Sequence, residues 1–237
     1  MKSNLSKKIL EIFSAIRKYG IKEIFKNMFY KERVEVVSMI YLNEQKNFSF
    51  ENKLKIRSIE KKDSKTLVEF TKKYHHHAGA SIRIANYIRN GYSGFLALQD
   101  NEIIGYMWWV DNKIEPEMNH PELVRYNIKL EDDDVYTTDL FIAPVFRGKN
   151  NSLEFANWAY QELFKMGFKR AYGVVDLNNA PARWIYKLLG CKETVRITSR
   201  RIFLFFLLVD KSVFLKTSRW NRRHPLDFRL LYTFKKA

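Results

Sequence analysis

The segment VYTTDLFIAPVFRGKNNSLEF, residues 135–155, narrows the choice of folds more than any other in the chain. A run rich in β-branched and aromatic residues stops at Pro144. A short basic turn follows, and apolar residues then recur at helical spacing from Leu153. This is a strand joined to a helix by a tight turn, the unit from which mixed α/β layers are built. The first turn of such a helix leaves backbone N–H groups unpaired, and the helix dipole adds positive potential there. An anion at that end is held by backbone. Arg147 and Lys149 supply formal charge, Gly148 lets the chain approach closely, Asn150 and Asn151 tolerate left-handed backbone, and Ser152 adds a hydroxyl. A phosphate-holding turn and an ordinary surface turn both fit these residues, since a phosphate loop usually carries more glycine.

The elements around this unit give the order β-α-α-β-β-β-α-β-α-β-β. A strand is expected over 34–42 and another at LKIRSI, 54–59. Helices follow from Asp63 or Ser64 to about Lys73 and over 80–89, the second stopped by Asn90-Gly91. GFLALQDNEIIGYMWWV reads as a hairpin turning at Gln99-Asp100-Asn101, and a polar insertion spans 111–133. After the helix that ends near Gly167 come the strand KRAYGVVD and the short helix APARWIYKLLG. Strands at 192–199 and 201–209 complete the pattern. The class is α/β of the α+β kind, a mixed, mostly antiparallel sheet flanked by helices. Neither G-x-G-x-x-G nor G-x-x-x-x-G-K-[ST] occurs, so nicotinamide-cofactor and P-loop chemistry have no support.

Charge divides the 237 residues differently. The net charge is +16, of which residues 1–33 carry +6 and residues 211–237 carry +7. The expected organisation is therefore a basic amphipathic extension over 1–53, a main domain over 54–209 and a basic, aromatic tail over 210–237. Basic arms suit an anionic membrane surface, with nucleic acid ranking below it. No run approaches the ~20 apolar residues of a membrane span, and the single cysteine, Cys191, fits a reducing compartment. A cytoplasmic protein, peripheral to membrane at most, is the expectation.

The stretch DLFIAPVFRGKNNSLEFANWAYQELFKMGFKRAYGVVDLNNAPARWIYKLLGCKE resembles the core of the GNAT superfamily of acetyl-CoA-dependent N-acyltransferases. Arg147, Asn150 and Ser152 stand at the Arg, Gly and Gly/Ala positions of its R/Q-x-x-G-x-G/A turn. Asn179, Tyr186 and Leu189-Gly190 match its later Asn, Tyr and Leu-Gly. Both loop glycines are replaced. The resemblance implies a splayed central strand at Leu140, Phe141 and Ile142 pairing with the pantetheine arm. It also implies a diphosphate held around Arg147 to Ser152, with Asn179 beside the coenzyme. No metal is implied.

The reaction implied is direct attack of a neutral amine on the thioester, moving acetyl to a primary amine of a small or sugar-linked acceptor. Tyr186 is then the general acid for the leaving thiolate. Asp139, just before Leu140, is the candidate to take the amine's proton, or a strand-end Asp bonded to nearby backbone. His75, His76 and His77 fall where an acceptor-lining loop is expected and read as surface histidines or, for one of them, a base. The acidic run Glu131 to Asp134 reads as a solvated loop or a lure for a cationic substrate. Trp108 and Trp109 are expected on opposite faces of one strand. The competing reading is a non-catalytic GNAT-like module that uses its basic arms on lipid or nucleic acid.

Overall fold

Strand β1, Tyr30–Tyr41, leads into a 3-10 turn at Leu42–Glu44. The computed structural model describes residues 30–44, 48–50, 54–75, 79–115, 118–148, 150–202 and 205–213. The expected N-terminal extension up to residue 29, the C-terminal tail from residue 214, Lys149, His76 and His77 lie outside the described residues.

Next come β2 (Lys55–Ser58), α1 (Ser64–Tyr74), α2 (Gly79–Arg89), β3 (Ser93–Gln99) and β4 (Glu102–Val110). The polar insertion holds a five-residue helix, α3, Pro121–Arg125. Then follow β5 (Asp134–Ile142), α4 (Asn151–Lys165), β6 (Arg170–Asp176) and α5 (Ala180–Leu189). The last strands are β7 (Lys192–Ile202) and β8 (Phe205–Val213).

The chain forms two compact units. Residues 36–194 make the larger; residues up to 35 and from 195 onward make the smaller. In the smaller unit β7 and β8 pair antiparallel from Val195↔Val213 to Ile202↔Phe205. In the larger unit the strand order is β2-β3-β4-β5-β6-β1. Strands β2 to β5 are antiparallel neighbours, and β5 pairs with β6 in parallel. Strand β1, first in the sequence, thus lies beside β6. No local pattern announces such a placement, because the pairing is long-range.

Alternation along the strands sorts side chains to two faces. Phe95, Met107, Val135 and Ile142 pack with Phe155, Ala159 and Leu163 of α4. Trp109 joins this layer, its ring 5.5 Å from Phe168, while Trp108 goes to the other face, 5.6 Å from Tyr87 of α2. Both tryptophans are therefore packing residues. Helix α4 buries Leu153, Phe155, Ala156, Ala159, Tyr160 and Leu163, the stripe that a 3.6-residue period predicts. Gly167, at φ +98°, ends the chain's helical course there.

The acidic run is exposed at Glu131 and Asp132 and turns inward by Asp134, with its carboxylates paired. Arg170, at the start of β6, binds Asp134 at 2.6 Å and Glu131 at 2.7 Å, and Lys169 binds Asp133 at 2.8 Å. Asp132 takes the Asn112 amide at 2.7 Å. These contacts pin the start of β5 against the start of β6.

Candidate active site

That pinned end is where β5 and β6 still pair. The parallel register runs Asp134↔Arg170, Val135↔Ala171, Tyr136↔Tyr172 and stops. Yet β5 continues to Ile142 and β6 to Asp176. Past Tyr136 the two strands part. The Thr137 hydroxyl donates to the Tyr172 carbonyl at 3.1 Å, closing the base of the fork.

Strand β5 has one edge on β4 and one on this gap. Ala143 N–H donates to Ile104 O of β4 at 2.9 Å. Since successive residues alternate direction, Phe141 also turns its backbone to β4, where it pairs with Tyr106. Leu140 and Ile142 turn theirs to the gap. The Phe141 side chain instead stacks on His75, with ring centroids 3.8 Å apart. Strand β4 comes so close that a Cβ on Gly105 would collide with the Phe141 carbonyl and the Ile142 side chain. Only glycine fits there.

A bulge interrupts β5 beside the gap. Tyr106 pairs with Phe141 but Trp108 pairs with Thr138, so Asp139 and Leu140 together face Met107. Asp139 sits at φ +48°, a left-handed conformation that a short polar side chain tolerates. Its carboxylate is bound by Arg83 Nε of α2 at 2.5 Å.

The turn after β5 takes left-handed backbone at two positions. Gly148 has φ +99°, and a Cβ built there meets nothing within 4 Å. Asn150, the N-cap of α4, takes the left-handed conformation at φ 64° and makes no side-chain cap. Asn151 points away from the turn, its amide donating to the Phe146 carbonyl at 2.8 Å. Ser152 lies in the first turn of α4, half-buried. Arg147 folds back over β5, its Nε donating to the Ile142 carbonyl at 2.9 Å and its guanidinium 5.7 Å from the Phe141 ring centre.

On the far side of the gap, Asn179 caps α5 by accepting from Ala182 N at 3.3 Å. Tyr186, two turns later, sends its hydroxyl to the fork, 3.8 Å from where a Cβ on Gly173 would stand. Burial raises its pKa above the ordinary phenol value; the nearby Cys191, Glu122 and Asp139 add to this. Tyr186 therefore remains protonated at any working pH. A cleft of about 400 Å³ lies on the outer side, lined by Ser38, Arg183, Trp184, Tyr186, Cys191 and Glu193. None of the turn residues borders that cleft, so it is separate from the helix end. Burial lifts the Cys191 thiol to about 12, which makes it inert.

The opposite face of β5 carries a polar aromatic cluster. His75 Nε2 lies 2.7 Å from the Tyr106 hydroxyl. His120 is 6% exposed, with Nε2 at 3.2 Å from the Tyr87 hydroxyl and 3.4 Å from Thr138 Oγ1. Its Nδ1 accepts from the Glu122 N–H at 3.3 Å, so the ring's proton belongs on Nε2. Burial lowers its pKa to about 4. The Glu122 carboxylate 3.7 Å from Nδ1 therefore faces a neutral imidazole, and the two form no ion pair. Glu122 Oε2 accepts a short hydrogen bond from the Tyr136 hydroxyl. Sequence reasoning missed both residues; the one local signal was Pro121 after a possible cap, the mark of a helix start. Among the described residues no cluster could hold a metal ion, and no helix is long and apolar enough to cross a membrane.

Residues 56–191 match the model of the acetyltransferase (GNAT) family, more than half of the chain. The chain belongs to the GNAT family. Its members draw an acyl group from acetyl-CoA. Solved GNAT structures share the fold at low identity. An acetyltransferase from Colwellia psychrerythraea superposes with a TM-score of 0.54 at 10% identity, over 73% of this chain and 57% of its own. An N-acetyltransferase from Sphaerobacter thermophilus gives 0.52 at 11%, over 78% and 56%. A glucosamine N-acetyltransferase region of a fungal multi-domain β-N-acetylglucosaminidase gives 0.57 at 14%, over 76% and 22%. The GNAT chain described here thus spans less than two thirds of each of these relatives. No curated protein matches it.

Proposed function

We propose that the protein is an N-acyltransferase that moves acetyl from acetyl-CoA to a primary amine of a small or sugar-linked acceptor. The observation that carries this reading is the end of β5–β6 pairing at Tyr136↔Tyr172 with both strands running on. An extended pantetheine arm can enter that gap as a strand would, using the backbone groups of Leu140 and the Ile142 N–H, the Ile142 carbonyl being held by Arg147. The diphosphate then reaches the uncapped first turn of α4, where N–H groups and the helix dipole favour an anion. The thioester comes to lie at the fork beside the Tyr186 hydroxyl. Positioning the two reactants contributes most of the acceleration, and a gap-facing N–H steadies the oxyanion. Tyr186 gives the departing thiolate its proton.

Replacing the two family glycines by Asn150 and Ser152 leaves this chemistry possible, because Asn150 adopts the left-handed backbone that glycine would supply. The reading as a non-catalytic module rests on arms outside the described residues, and no described feature favours it. The test is calorimetry with acetyl-CoA followed by an amine panel scored by thiol release. Saturable binding with release on at least one amine is expected. Absence of heat at millimolar acetyl-CoA would sink the proposal.

A further inference from the structure

The geometry points to Glu122, on α3 of the 111–133 insertion, as the group that takes the proton of the acceptor ammonium. This rests on the acyltransferase reading and names a part of that site which the family turn does not contain.

The attacking nitrogen must arrive on the face of the fork opposite the coenzyme and needs a nearby acceptor for its proton. Besides His75, whose ring stacks on Phe141 with Nε2 at 2.7 Å from the Tyr106 hydroxyl, three side chains of that face could serve. Asp139 has its carboxylate tied to the Arg83 guanidinium of α2 at 2.5 Å, so that oxygen is already engaged. His120 has its Nδ1 lone pair occupied by the Glu122 N–H and keeps its proton on Nε2 toward Tyr87 and Thr138. It is a fixed donor. Glu122 remains, with 22% of its side chain exposed against 7% for His120. Its Oε2 is bound by the phenol of Tyr136, the last β5 residue paired with β6 and so the residue at the base of the fork. Both Tyr136 and Tyr186 feel the Glu122 charge. The carboxylate thus stands within electrostatic reach of the general acid.

The local chain explains why it stands there. His120 caps α3 and Pro121 fixes its first turn. The His120 ring is wedged against Tyr87 of α2 and Thr138 and Tyr136 of β5, with centroids 5.1 Å apart for the last pair. That anchor sets the position of Glu122 two residues on.

The step balances as follows. The ammonium gives one proton to Glu122, which passes it to solvent through its exposed edge. The freed lone pair forms the N–C bond with the thioester carbon. As the adduct collapses the C–S bond breaks, and Tyr186 protonates the thiolate. The nitrogen's second proton returns to the Tyr186 phenolate, so one proton is released per amide formed.

Full-length wild type, Glu122→Gln and Tyr136→Phe are compared with the best amine from the panel, across pH, with acetyl-CoA affinity measured in parallel. Glu122→Gln is expected to lower kcat about 100-fold or more, within the range of general base effects. It should abolish the acidic limb of the kcat/KM profile and leave acetyl-CoA affinity within about twofold. Tyr136→Phe removes a donor from the carboxylate, so the acidic limb should move to higher pH. A Glu122→Gln enzyme with wild-type turnover and an unchanged profile overturns the inference while the acyltransferase reading stands. If Glu122→Gln does not fold, an unmoved limb in Tyr136→Phe overturns it equally. Wild type that binds no acetyl-CoA removes the parent reading instead.

Discussion

The Tyr186 hydroxyl and Gly173 meet at the point where β5 and β6 part, with 3.8 Å between that oxygen and the place a Cβ would occupy on Gly173. The same Cβ would lie 3.3 Å from Thr137 Oγ1 and 3.4 Å from its carbonyl. Two consequences can be measured. Tyr186→Phe removes the proton for the thiolate and should lower kcat by about tenfold or more, with acetyl-CoA affinity nearly unchanged. Gly173→Ala tightens the fork without touching the turn, so it should weaken acetyl-CoA binding more than it lowers thermal stability. Equal kcat for Tyr186→Phe and wild type would remove the tyrosine from the reaction.

Asp139 offers a test of backbone strain. At φ +48° any side chain with a Cβ is disfavoured, by roughly 1–2 kcal/mol for alanine-like residues. Glycine normally weakens a strand, but here the order should invert. Asp139→Gly is expected to be more stable than Asp139→Ala by about 1 kcal/mol in urea unfolding. The opposite order would mean that the bulge relaxes when the Arg83 pair is lost.

Arg147 joins the turn to the strand, and its removal separates the two. Arg147→Ala deletes both a positive charge beside the diphosphate position and the hydrogen bond to Ile142 O. Loss of one charged contact to an anion predicts about tenfold weaker acetyl-CoA, or ~1.4 kcal/mol. The deficit should shrink at high salt. Calorimetry at two ionic strengths decides, and an affinity equal to wild type would place the diphosphate elsewhere.

What the sequence disclosed and what it withheld follow from the range of the interactions. Helices α1, α2, α4 and α5 were legible from spacing and caps. The hairpin at Asp100-Asn101 was legible from turn chemistry, and both residues indeed take positive φ. Tyr186 and the turn after β5 were legible because strand, turn and helix are contiguous. Four features were not. The place of β1 beside β6 depends on pairing across more than a hundred residues. The bulge at Asp139 appears only in register with Met107. The engagement of Glu131, Asp133 and Asp134 by Arg170 needs β6 alongside β5, so no local pattern shows it. Glu122 was hidden for the same reason, lying in a polar stretch whose one short helix is set by packing of His120.

His120 supplies a last prediction, on stability against pH. The imidazole titrates near 6.5 in an ordinary setting and at about 4 in the fold, chiefly because burial disfavours the charged form. Tyr87 from α2, Tyr136 and Asp139 from β5, and Glu122 and Arg125 from α3 surround it, with Arg83 beyond. Between those two pH values the unfolded chain binds more protons than the folded one. The stability tied to neutral His120 is therefore intact above about 6.5 and is lost as pH falls toward about 4. At about 1.4 kcal/mol for each pKa unit, the loss approaches roughly 3 kcal/mol. His120→Gln keeps an acceptor for the Glu122 N–H and has nothing to protonate. Urea unfolding at pH 7.5 and 4.5 should show wild type losing about 2–3 kcal/mol more than this variant, the carboxylates being common to both. Parallel losses in the two proteins would mean that His120 is solvated or already charged in the native state, and the tautomer assigned to it would fall with that result.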